Sequence, residues 1–114
     1  MKIVEVIRTT EIPAEIIWDE MKHFDRVLRW VPGGDKSTIS VKGKGIGAIR
    51  DINLITQGYV QHELIAYNDN DYSFSYKLTG GKPVGMHDYV VAVSYTHLRA
   101  HETVLDLVCR LLLE

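Results

Sequence analysis

The chain has a single cysteine, Cys109, which excludes an intramolecular disulfide framework. Neither sign of charge dominates. Thirteen Lys and Arg stand against fifteen Asp and Glu, a net charge of -2. A nucleic-acid binder needs a basic face to displace counterions, and this balance argues against one. No apolar run approaches the roughly 20 residues of a membrane-spanning helix. Met1-Lys2 leads straight into a β-branched stretch, without the apolar core of a secretory signal. Repeats and low-complexity segments are also missing. What is present is an ordinary globular mixture, 46% hydrophobic and 25% charged, in 114 residues, enough for one domain. The expectation is one soluble, cytoplasmic domain.

Residues 93–114 stand apart. His97 and His101 lie four apart, with Glu102 beside the second and Cys109 beyond, a spacing that a helix could turn into a metal site. The same segment resembles a translated sequencing-library adaptor. Residues 93–103 back-translate to a transposase-type adaptor end and residues 107–113 to its flow-cell part. They share one frame, and residues 104–106 fall at the variable index. On this reading the tail is artefactual read-through, residues 1–92 are the biological domain, and no metal site is expected. Val104, Leu105, Val108, Leu111 and Leu112 recur at helical spacing and predict an apolar helix face in the tail.

Within residues 1–92 the pattern predicts a strand at 2–11 and, after Pro13, a helix at 14–23. Ile17, Met21 and Phe24 form that helix's apolar stripe, with Trp18 beside it. A second short helix is expected at 25–30, stopped by Val31-Pro32-Gly33-Gly34. Strands are expected at 37–42, 48–55, 59–67, 72–78 and 86–91. The fourth of these alternates: Tyr72, Phe74, Tyr76 and Leu78 share one face. Short connections favour antiparallel neighbours, so the order predicts an α+β meander.

This order resembles the START-like, Bet v 1-like (SRPBCC) superfamily, polyketide cyclase/dehydrase-like branch. The matching residues are Ile12-Pro13-Ala14-Glu15-Ile16-Ile17-Trp18, Phe24-Asp25-Arg26, Arg29-Trp30-Val31-Pro32-Gly33, Gly45-Ile46-Gly47-Ala48-Ile49-Arg50, Glu63-Leu64, Pro83-Val84 and Asp88-Tyr89. The resemblance covers residues 3–91. It implies a bacterial helix-grip protein, in which a curved antiparallel sheet wraps a long C-terminal helix around an apolar cavity. The native last strand and that helix are expected to be missing here, their place taken by the tail. The concave face would then lack one wall, and the chain as written would be marginally stable or aggregation-prone.

Arg50 and Glu63 are the most informative pair. If Thr56-Gln57 is the whole turn between their strands, they lie opposite each other on one face. If Gly58 joins the loop, the register slips by one and the pair breaks. Together they would anchor a ligand carbonyl or carboxylate, or simply satisfy each other. The resemblance puts Trp30 and the Pro83-Val84 loop near a cavity mouth, and the concave face is assigned to Ile52, Leu54, Ile65, Phe74 and Tyr76. Tyr67, Tyr72, Tyr76 and Tyr89 could offer hydroxyls, although alternating aromatics in strands mostly pack. His62 is expected to point outward and His87 to lie on the surface; His87 and Asp88 point to opposite faces and cannot form a dyad. Gly43-Lys44-Gly45-Ile46-Gly47-Ala48 partly matches a dinucleotide fingerprint, but a strand follows instead of the required helix.

Two kinds of function remain. One is a binding module for a small hydrophobic molecule (a lipid, polyketide or aromatic). The other is a cyclase or dehydratase in the same cavity, with Arg50 and Glu63 as weak catalytic candidates. A protein-interaction module is a third reading. No cofactor or nucleic-acid partner is implied.

Overall fold

In the computed structural model, which describes residues 2–29, 33–55, 58–81, 88–99 and 102–112, the β-branched opening forms strand β1 (Lys2–Thr10). Pro13, at φ -57°, precedes helix α1 (Ala14–Met21), and its carbonyl oxygen accepts the N–H groups of Ile16 and Ile17. Two 3₁₀ turns follow, Phe24–Arg29 and Gly34–Lys36. Gly34 is buried against the first of these; a Cβ there would lie 1.8 Å from the Leu28 carbonyl oxygen, so only glycine allows the approach.

Six further strands complete the sheet: β2 (Thr38–Lys42), β3 (Ile49–Leu54), β4 (Gly58–Asn68), β5 (Ser73–Gly81), β6 (Asp88–Arg99) and β7 (Glu102–Leu112). They form one seven-stranded sheet in the order β1-β7-β6-β5-β4-β3-β2. Every pairing is antiparallel. This is the helix-grip strand order, with the N-terminal helices packed on the inner face. Among the described residues there is no long C-terminal helix, and none of the helices is long and apolar enough to cross a membrane.

The tail segment is built into this sheet. β7 pairs with β1 from Lys2↔Leu111 to Thr10↔Thr103, and with β6 on its other side. The apolar helix face expected there is therefore a strand. The reason is that Leu105, Leu107 and Cys109 also alternate with Asp106, Val108 and Arg110, and two neighbouring strands offer hydrogen-bonding edges that a helix could not use.

The outer face of this seam holds a carboxylate pair. One oxygen of Asp106, Oδ1, is buried with no donor among the described residues. Glu5, on the neighbouring strand, is held above the ordinary carboxylate range because its protonated form can donate to Asp106 and because the Asp106 charge repels its own. The folded chain thus keeps a proton that the unfolded chain releases, and this seam loses stability as pH rises through the raised Glu5 pKa. Asp106→Asn is expected to raise the melting midpoint at neutral pH and to change little in acid. Parallel melts at the two pH values check this.

Two apolar clusters fill the concave side. Trp18, 3% exposed, centres the first, with ring centroids at 5.5 Å from Tyr67, 5.7 Å from Tyr72, 6.1 Å from Phe74 and 6.3 Å from Tyr95. Its Nε1–H donates to Asp69 Oδ1 at 2.8 Å, tying α1 to the β4–β5 turn. Tyr67 donates to the same oxygen at 3.0 Å, and the two donors hold the Asp69 carboxyl below its usual range. The second cluster joins Ile52, Val60 and Leu78 to Val27, Leu28, Ile39, Leu54 and Tyr89.

Candidate functional site

Between the two clusters lies a polar knot centred on Arg50. The β3–β4 register places it there. Leu54 pairs with Gly58, so the loop holds three residues and Gly58, at φ +78°, opens the returning strand. Arg50 consequently faces His62, and Glu63 faces Ile49. The slip of one residue turns Glu63 to the outer face, where it lies across from Lys77. Arg50 and Glu63 do not form a pair. The same slip corrects the outward placement of His62, which is buried with 6% exposure. The signal was in the strand itself: Val60, His62 and Leu64 share one face, and Gln61 and Glu63 the other.

Arg50 is 3% exposed. Its Nε–H donates to His62 Nδ1 at 3.2 Å, and Nη1 donates to the Phe24 carbonyl oxygen at 3.1 Å. The guanidinium carbon sits 4.1 Å from the Phe24 ring centroid and 4.6 Å from that of Tyr76, an arrangement in which both π faces attract the cation. Burial lowers the Arg50 pKa, but a guanidinium starts so high that it stays charged. His62 reaches the Tyr89 hydroxyl through Nε2 at 2.5 Å. Burial, and then the Arg50 charge, depress the His62 pKa to about 3, so the ring is neutral at neutral pH. Burial also raises the Tyr76 and Tyr89 pKa values, and both phenols keep their protons.

Two apolar chambers open on either side of Arg50. The larger, about 190 Å³, is lined by Met21, Phe24, Leu64, Phe74, Val93, Tyr95, Leu105 and Leu107 around Arg50 and Tyr76, with Lys22 and His23 at its rim. The smaller, about 170 Å³, is lined by Ile52, Leu54, Val60, His62 and Tyr89, and shares Val27, Arg50 and Tyr76 with the first. All walls of the smaller chamber come from residues before 93, whereas the larger uses four residues of the tail segment.

Of the residues expected at a site, Arg50, Ile52, Leu54, Phe74, Tyr76 and Tyr89 therefore line the chambers. Glu63 and Ile65 line neither; Ile65 falls at an irregularity of the β4–β5 register between Leu64 and Ala66. Trp30, Pro83 and His87 lie outside the described residues. The glycine-rich loop does lead into a strand: Gly43, Gly45 and Gly47 take positive φ, and the Gly47 N–H bonds to Leu64. No group of three metal-ligating side chains occurs among the described residues.

No curated protein matches the chain in sequence. Solved structures do match in fold. A protein from Nitrosospira multiformis superposes with a TM-score of 0.79 at 21% identity, covering 98% of this chain and 79% of that one. A protein from Thermobifida fusca gives 0.82 at 14% identity, covering 100% and 76%. Norcoclaurine synthase from Thalictrum flavum, solved with dopamine and hydroxybenzaldehyde, gives 0.77 at 14% identity, covering 95% and 67%. At these identities the likeness is one of fold. A family model described as polyketide cyclase / dehydrase and lipid transport matches residues 1–111. With nearly its whole length matched, the chain belongs to the polyketide cyclase/dehydrase and lipid transport family, within the START-like superfamily.

Proposed function

We propose that this protein binds one small hydrophobic molecule between its sheet and its N-terminal helices. The observation that carries the reading is the pair of apolar chambers meeting at a single buried polar knot. Such a site is mostly apolar, with a few placed polar groups to orient its guest. The family's description includes lipid transport, and the Thalictrum flavum enzyme of the same fold holds aromatic ligands.

A cyclase or dehydratase reading needs a group that moves protons near neutral pH. No Asp or Glu lines either chamber among the described residues. Both ring nitrogens of His62 are already engaged, and its pKa lies far below neutrality. These features favour binding over acid–base catalysis. Lipid, polyketide and aromatic guests all have apolar bodies that suit such walls.

Native mass spectrometry of the purified chain tests the reading. The expected result is an adduct of one apolar molecule per chain, removed by organic solvent. An empty chain that also fails to take up Nile red, a neutral apolar dye, would overturn it.

A further inference from the structure

Arg50 carries a full positive charge into the wall shared by the two chambers. Among the described residues the ion pairs join Lys22 to Asp19, and Arg26 and Arg29 to Glu20; none includes Arg50. Glu63, the acid expected to pair with it, lies on the outer face. The partners Arg50 does have are neutral: an imidazole, a carbonyl, the Tyr76 hydroxyl and two ring faces. Burying a cation among neutral groups is costly, and an anion brought by a ligand would offset that cost.

The hydrogen-bond directions give a second, independent sign. An arginine Nε–H can only donate, so His62 Nδ1 accepts. The neutral ring then carries its hydrogen on Nε2 and donates it to the Tyr89 oxygen. Tyr89 spends an acceptor site on His62 and keeps its own hydroxyl hydrogen to give elsewhere. Arg50 and Tyr89 both border the smaller chamber, whose remaining walls are largely Val27, Ile52, Leu54 and Val60. The chamber thus combines one charged and one neutral donor with an apolar interior.

We propose that the smaller chamber binds a small monocarboxylic acid as its anion. The carboxylate sits against Arg50 and the Tyr89 hydroxyl, and a single ring or short branched chain lies against Val27, Ile52, Leu54 and Val60. This rests on the hydrophobic-ligand reading and narrows it to an acid. Size sets the limit on the body: at about 170 Å³ the chamber is close to the roughly 150 Å³ that holds a benzene molecule, and too small for a long acyl chain.

Calorimetric titration of the full chain with phenylacetate and with its neutral near-isostere phenylacetamide tests the proposal. Phenylacetate is expected to bind at least about tenfold more tightly, because charge-assisted hydrogen bonds to arginine are the stronger kind. Arg50→Met should erase that preference while keeping amide binding, and Tyr89→Phe should weaken the acid by about threefold. Equal affinity for acid and amide would overturn the carboxylate assignment and leave the hydrophobic-ligand reading standing. So would a chain that binds Nile red but neither phenyl compound. Failure of all three probes would remove both. The acid–amide comparison is made on the unaltered chain and stands whether or not a variant folds.

Discussion

Trp18→Ala is expected to cost about 3–5 kcal/mol of stability, the range for truncating a large buried aromatic side chain. The side chain sits at 3% exposure among four other aromatic rings. Its loss leaves a cavity where α1 meets β4, β5 and β6, and removes one of the two donors to Asp69. A small domain has only about 5–15 kcal/mol in total, so the variant should lose about a fifth or more of its stability. Trp18→Phe separates the two contributions. It keeps most of the apolar volume and loses the Nε1 hydrogen bond, so the cost should fall to about 1–3 kcal/mol. Urea unfolding followed by far-ultraviolet circular dichroism measures both. Equal losses in the two variants would show that the bond to Asp69, rather than packing, holds α1 in place.

Acid should unfold this protein through His62. In the unfolded chain an imidazole takes up a proton near its ordinary value of 6.5; in the fold this one resists protonation down to about 3. Stability from this group is therefore fully present above pH 6.5 and drains away as pH falls toward 3. Over that window the loss reaches roughly 4–5 kcal/mol, taking about 1.4 kcal/mol per pH unit. His62→Asn cannot titrate, and its carbonyl oxygen can still accept from Arg50. Its acid-unfolding midpoint should move down by about one pH unit, even if the variant is less stable at neutral pH. An unchanged midpoint would assign the acid transition to the carboxylates instead.

Local pattern and long-range pairing were unequally legible in the sequence. Pro13 and the Ile17/Met21 stripe mark the first helix, and the structure places it at Ala14–Met21. The Phe74/Tyr76/Leu78 alternation identifies the inner face of β5, and all three pack inward. Those signals depend only on neighbours in the chain. The β3–β4 register depends on whether Ile55 ends the strand or joins the loop, a difference of one residue that exchanges Glu63 for His62 in the cavity wall. For residues 104–112 helical and strand periodicities overlap, and the choice falls to partners far away in sequence: β1, paired from Lys2 to Thr10, and β6. The chambers follow the same rule. Ile52, Leu54, Phe74, Tyr76 and Tyr89 were readable as inward-facing residues, but the Phe24 carbonyl and Val27 reach Arg50 and the chambers only through tertiary packing.

The β1–β7 seam also sets a timetable. Lys2 pairs with Leu111, so β1 is hydrogen-bonded by a strand that leaves the ribosome long after it. During synthesis, at about 5–20 residues per second, β1 waits several seconds with its edge unsatisfied. It carries Ile3 and Ile7, which stay more than half exposed even after folding. An unpaired apolar strand is a template for pairing with another chain. The same topology that pairs β1, among the described strands, only with β7 therefore leaves β1 open to mispairing until β7 has been made.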